Sequence, residues 1–313
     1  MKRVVIPPGR DAMFLHGVPE AASAILAADF ICKAKSKVVI LLTESIPKTE
    51  EWAEDVAAFL ETANQGVRIR LHLFDEPPST EHPDAFERIC DRLAVLSALG
   101  ELSKKERVSS ESSLLLLATT PESILAPCPS VESHEKNELI VRKGEKLPFQ
   151  SFVGELAKRF DYSSEILCES PAQFAVRGGL IDVYPVNGEF PVRIDFFGDE
   201  IEDLRRFDPN TQRTIESVES VTLASAGSHE DREVEGAFFG HLKCPVTWIL
   251  REPEDLLMRS PLIFHYSEKR KSAPKCFFDA LERKAAKKDK FLGMAEIDSG
   301  RGIFDNAPCH EEK

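Results

Sequence analysis

Residues 174–213, FAVRGGLIDVYPVNGEFPVRIDFFGDEIEDLRRFDPNTQR, restrict the fold more than any other stretch of the chain. β-prone runs alternate there with turn residues, a pattern that predicts an antiparallel meander. Asn187-Gly188 tolerates positive φ and lies between two such runs, so it predicts a hairpin turn. Side chains alternate between the faces of a strand, so Val192, Ile194 and Phe196 share one face and Arg193, Asp195 and Phe197 share the other. The first set reads as core. The second puts a guanidinium, a carboxylate and a large aromatic on the wetter side. Upstream, Ala175 and Arg177 alternate with Phe174 and Val176, and Gly178-Gly179 predicts a kink or bulge. An arginine beside an aromatic is the composition of an interface hot spot. Periodicity alone favours the plainer reading, an amphipathic strand with solvated arginines and Phe197 packed under a loop.

The rest of the chain is organised differently. Up to about residue 137, helical and strand patterns alternate as in an α/β domain. Helices are expected over residues 20–33, 49–62 and 84–99, and strands over 37–45 and 67–74. Residues 113–125 read as a strand running into a short helix that starts at Thr119-Thr120-Pro121. Polar residues 130–137 read as a linker. One helix is expected near residues 149–160, and Asp208-Pro209-Asn210 supplies a turn. Residues 227–235 look loose, followed by a strand at 246–250 and a helix at 276–290. The basic run 283–290 that ends this helix reads as a solvated face.

Charge and cysteine usage narrow the function classes. Forty basic against 53 acidic residues leave a formal charge of −13, which disfavours a non-specific grip on nucleic acid. Seven scattered cysteines without a CxxC pair, and eight histidines that do not cluster with them, point to reduced structural thiols and no metal site. No apolar run approaches the roughly 20 residues of a bilayer span, and no signal pattern opens the chain, so no membrane partner and a cytoplasmic location are expected. No G-x-S-x-G elbow appears. The acidic run Asp199, Glu200, Glu202 and Asp203, next to arginines, reads as electrostatic complementarity rather than acid/base machinery. No catalytic residue is assigned.

The strings RGGLIDVYP, PVRIDFFGDEIEDLRRFD and TQR resemble the UvrA-interaction domain shared by the excision-repair protein UvrB and the transcription-repair coupling factors (Mfd). The likeness continues upstream into ELIVRKGEKLPFQSFVGELAKRFDY (residues 138–162) and HPDAFERICDRLAVLSAL (residues 82–99). It extends more weakly downstream into WILREPEDL (residues 248–256) and GIFDNAP (residues 302–308). The resemblance implies an α/β fold with three parts. A UvrB-like, RecA-like domain 1a spans residues 1–137, a β-rich α+β UvrA-interaction domain spans 138–226, and a domain 1b, incomplete by the resemblance, spans 227–313. The two ends of the chain would form the RecA-like domain, with the interaction domain inserted.

A RecA-like domain that uses ATP needs a glycine-rich loop, a lysine and a hydroxyl after its first strand. This chain reads HGVPEAASA there. Gly17 is kept, but Ala22, Ser23 and Ala24 stand where Gly, Lys and Thr would be, and Pro19 and Glu20 add stiffness and negative charge. The expectation is a degenerate, P-loop-less site with no cofactor. That departs from UvrB and matches the UvrB-like module of the coupling factors, which has lost its nucleotide site and keeps the UvrA-binding surface. The resemblance implies an adaptor and not an enzyme, with UvrA as its partner. RNA polymerase and DNA would be engaged only through polymerase-binding and translocase domains absent from this chain. Carried over by motif, the UvrA contacts are Arg177, Arg193 and Phe197, with Arg205 from the LRRF segment. Two alternatives stay open: a diverged UvrB-like ATPase, and a structural remnant without a partner.

Overall fold

The computed structural model describes residues 11–63, 67–77, 84–104, 113–227, 233–234, 237–259, 277, 281 and 288–296. The chain divides into two compact units. One comprises residues 1–77, 98–128 and 234–313; the other comprises residues 78–97 and 129–233.

The first unit is built on a six-stranded parallel sheet. Its strand order is Asp11–His16, Lys290–Ala295, Val246–Arg251, Val38–Leu42, Ser113–Thr119 and Arg68–Phe74. A parallel sheet covered on both faces demands strands that are apolar throughout, and the VVILL strand is buried at all five positions. Val39 and Leu41 pack with Ala24, Ala27 and Ile31 of helix Glu20–Ala34 and with Trp52, Val56 and Leu60 of helix Ile46–Ala63. An aromatic cluster includes Trp248, stacked at 7° on Phe291, and Phe74, which lies 4.7 Å from Phe238. The short helix Pro121–Leu125 begins as expected: Ser123 N–H donates to the Thr120 hydroxyl, and Pro121 occupies the first turn, where its missing N–H costs nothing. The strand Lys290–Ala295 has no counterpart in the sequence reading. Most of the helix expected over residues 276–290, with its basic run, lies outside the described residues.

The second unit holds the meander. Its six-stranded sheet runs Thr214–Ser217, Glu200–Phe207, Val192–Phe197, Leu180–Val183, Gln173–Arg177 and Ser163–Ser164. Neighbours are antiparallel except the last pair. The expected core face is present: Val192, Ile194 and Phe196 are buried with Phe152 and Leu156 of helix Phe149–Lys158. Each fully buried aliphatic or aromatic side chain contributes about 1.5–3 kcal/mol.

The expected kink at Gly178-Gly179 is a tight turn, and the turn at Asn187-Gly188 is longer than two residues. The tight turns are Gly178-Gly179, closed by the pair Arg177 and Leu180, and Gly198-Asp199, closed by Phe197 and Glu200. Gly178 and Gly198 each have φ +62°, the left-handed backbone that a two-residue hairpin needs at its first position. Asn187-Gly188 does lie where the chain reverses between antiparallel strands, but in the longer connection 184–191: Gly188 N–H donates to Pro185 O at 3.1 Å, and neither residue has positive φ. Asn187 is there for its amide. Its Nδ2 donates to Ser97 Oγ at 3.0 Å, and its Oδ1 accepts from Ala224 N–H at 3.1 Å. Ser97 also donates to Glu138 Oε1 at 2.7 Å and lies 3.2 Å from His134 Nε2. The expected linker at residues 130–137 is therefore structured as helix Val131–Lys136, with Ser130 as its N-cap and His134 buried. Its polar sequence conceals a buried, mutually hydrogen-bonded group.

Asn187→Gly separates the two roles. A turn would tolerate it, whereas the amide cross-link predicts a loss of about 1–3 kcal/mol from stranding the Ala224 N–H. Urea midpoints of the two proteins read the difference, and equal midpoints would leave Asn187 with its turn role alone.

Burial pushes the thiols of Cys90 and Cys168 from 9.0 up to about 12. Both are expected to resist alkylation of the native protein at pH 8, because the thiolate is the nucleophile. The sign follows from linkage: this protonated-thiol stability is present below pH 9 and is lost as pH rises from there through about 12. Mass spectrometry after iodoacetamide treatment, native against unfolded, checks it.

Candidate functional site

Register assembles the site. Directly paired residues share a face of a sheet, and Arg177 pairs with Leu180, which pairs with Asp195. Phe197 lies two residues beyond Asp195 on the same strand, and Arg193 pairs with Arg205 on the next. All four sequence candidates, Arg177, Arg193, Phe197 and Arg205, therefore stand on one face.

Their environments differ. Arg193 is engaged within the sheet. Its Nε and one Nη donate to the two oxygens of Asp182 at 2.7 and 2.8 Å, a bidentate fork. Asp182 is 3% exposed in its side chain and Arg193 20%. The guanidinium lies 4.7 Å from the centroid of the buried Phe207 ring, and the same Nη reaches Gln212 Oε1 at 3.3 Å. The turn at residues 208–213 holds Gln212 in place: Asp208 Oδ1 accepts from the N–H groups of Asn210 and Thr211, as its sequence predicts. Arg205 is shared between Asp195 at 3.3 Å and Asp203 at 3.2 Å. Lys143 reaches Asp203 at 2.9 Å and holds that carboxyl below its ordinary range. Arg206 pairs with Glu216.

Arg177 is the exception among the four arginines on the strands of this sheet. Among the described residues it has no carboxylate partner, and its Nη2 donates to the backbone carbonyl of Ile166 at 3.2 Å. Phe197 is 76% exposed at the end of its strand, beside the Gly198 turn. Close packing of the two hairpins fixes that end, since Phe196 N–H donates to Gly179 O at 2.9 Å. A Cβ at residue 179 would sit 2.9 Å from Phe196 O, so only glycine fits without moving the hairpins. Sequence reasoning missed Asp182, Phe207 and Gln212. Alternation places Asp182 on the strand face opposite Ile181 and Val183, but its pairing with Arg193 needed the register.

In the first unit, the loop from strand Asp11–His16 to helix Glu20–Ala34 is only residues 17–19. Gly17 has φ +69°, and Val18 N–H donates to Ala295 O at 3.0 Å. Ser23 is 2% exposed, and its hydroxyl donates to Glu20 O at 2.7 Å. The Glu20 carboxylate pairs with Arg251, which holds it below the ordinary carboxylate range. A shallow recess here is lined by Glu20, Ser23, Arg251, Glu252 and Glu296, three carboxylates against one guanidinium. Ala22 and Ala24 bring no polar side chain. Such a lining repels an anion.

Comparison with known proteins agrees with the resemblance read from the sequence. A family model described as the UvrB interaction domain matches residues 139–229. A protein of Staphylococcus aureus (strain bovine RF122 / ET3-1) named transcription-repair-coupling factor is 24% identical over 221 residues, 71% of this chain and 18% of the relative. Its namesake in Bacillus subtilis (strain 168) is 23% identical over 219 residues, 70% of this chain and 17% of the relative. The chain thus spans less than a fifth of the length of these relatives.

Proposed function

We propose that this chain is an adaptor module of transcription-coupled repair that docks UvrA, bringing it to RNA polymerase stalled at a lesion. The observation that carries the reading is the pairing of Arg177, without a carboxylate of its own, with the exposed Phe197. They stand on one face of a sheet inside the segment that matches the UvrB interaction domain. Arg177 pairs with a carboxylate of UvrA, and Phe197 fills an apolar pocket there, the arrangement of an interface anchor. Arg193 and Arg205 act one step back. Each is engaged by carboxylates of this chain, so they hold the face rigid and do not reach the partner.

The parallel-sheet unit is read as a RecA-like scaffold without nucleotide chemistry, and the module as no enzyme. The buried and bonded Ser23 hydroxyl and the three carboxylates around Arg251 support that reading. Polymerase and DNA are engaged by other parts of the repair machinery. Isothermal titration of UvrA into the folded chain tests the proposal. Binding is expected for the wild type, and Phe197→Ala is expected to weaken it by about 2 kcal/mol or more with unchanged thermal stability. A folded wild type that fails to bind UvrA would leave the structural-remnant alternative standing.

A further inference from the structure

Among the described residues the most exposed large apolar side chain is not Phe197 but Ile166, at 89%, and its neighbour Leu167 is 43% exposed. Single exposed apolar residues need no explanation. Two in succession, on a segment held as firmly as this one, do. Ser163 N–H donates to Ala172 O and Glu165 N–H to Phe174 O, both at 2.8 Å, pinning the start of the segment to the sheet edge. On its far side, Gln173 Oε1 accepts from the N–H groups of Glu169 and Ser170, each at 3.0 Å. Between these fastenings, the Ile166 carbonyl accepts from Arg177 at 3.2 Å. The fold therefore fixes a pair of apolar side chains that contribute little to its own core.

We infer that Ile166 and Leu167 form a second anchor of the UvrA-docking face, seating in an apolar recess beside the carboxylate that meets Arg177. The inference rests on the proposed function and extends its site around the sheet edge. Continuity argues for it, because the arginine without a carboxylate is the residue that holds the loop. Charge argues for it too. Exposed Glu165 and Glu169 lie on either side of the apolar pair, so Arg177 is the cation of this corner, and it fits a protein surface that sets an acidic residue next to a hollow. Preorganisation adds to affinity, because little loop entropy remains to be lost on docking. The Arg177 fork has five donors, so the bond to Ile166 O leaves others for the partner.

The test is a titration of UvrA against wild type, Ile166→Ser/Leu167→Ser and Arg177→Glu in the whole chain, with thermal unfolding of each. The double variant is expected to unfold like wild type and to bind about tenfold to a hundredfold more weakly, from two apolar side chains no longer buried. Wild-type affinity in the double variant, alongside loss in Arg177→Glu, would overturn the second anchor and leave the proposed function intact. Absence of binding by the folded wild type would overturn both. Sedimentation of the chain alone adds one arm: self-association that the double variant abolishes would make a second copy the occupant and overturn the inference.

Discussion

Arg193→Glu is expected to destabilise the six-stranded sheet by about 3–5 kcal/mol rather than merely to blunt its surface. Asp182 is almost fully buried, and both its oxygens are satisfied by the Arg193 fork. The two residues are directly paired across neighbouring strands. The substitution sets a second carboxylate against a buried one and removes the cation from above Phe207. Breaking a buried pair by removing one partner costs about 3–5 kcal/mol. A domain of this size has only about 5–15 kcal/mol in total. Arg193→Lys keeps the charge but not the fork, so a smaller loss is expected. Denaturant unfolding followed by circular dichroism checks both. The cycle with Asp182→Ala should show strong coupling, the double variant losing less than the sum of the singles. Unchanged midpoints for Arg193→Glu would make the pair a bystander. The prediction also bears on mapping the interface, because lost binding in an Arg193 variant would report a collapsed sheet as readily as a lost contact.

Arg177→Glu is expected to do the opposite: keep the fold and lose the partner. The side chain is exposed and gives the fold one hydrogen bond, to the Ile166 carbonyl. Its removal is therefore expected to change stability by no more than about 1 kcal/mol. At the proposed interface the substitution would place like charges together and strand the carboxylate that Arg177 is proposed to meet. Truncating one member of a buried interfacial charge pair costs about 2–5 kcal/mol, so affinity should fall by at least about 30-fold. Calorimetry with UvrA and a parallel melting curve give both readouts. Full affinity with an intact fold would remove Arg177 from the interface. The contrast between the two arginines is the point of doing both: one charge reversal should be read in the melting curve, the other in the titration.

Much of this architecture was legible in the residues, because it is decided over short distances. The two faces of Val192–Phe197 follow from strict alternation, and burial of Val192, Ile194 and Phe196 agrees with it. Helix Glu20–Ala34, the strand VVILL and the Thr120-Pro121 helix start carry their periodicity and capping in a few neighbouring residues. The failures have a common cause. Asn187-Gly188 has the composition of a tight two-residue turn, and the chain does reverse there, but through the longer connection 184–191, in which the asparagine amide bridges Ser97 and Ala224, both remote in sequence. Residues 130–137 look like a solvated linker because the partners that satisfy His134 and Glu138 lie on other elements.

The sequence by itself determined which side chains share a strand face and where several helices and strands begin, and its resemblance to a known interaction domain singled out Arg177, Arg193, Phe197 and Arg205 together. The tertiary structure alone decided which of these arginines has no carboxylate beside it among the described residues. Arginine is always charged, and its role depends on what stands opposite it. What stands opposite is set by turn length and strand register, which put Asp182 beside Arg193 and Asp195 and Asp203 around Arg205, and only a backbone carbonyl at Arg177. The same holds for the parallel sheet, where the strand Lys290–Ala295 lies against Asp11–His16. Burial of apolar strands on both faces selects that neighbour, and no local pattern in either segment encodes it.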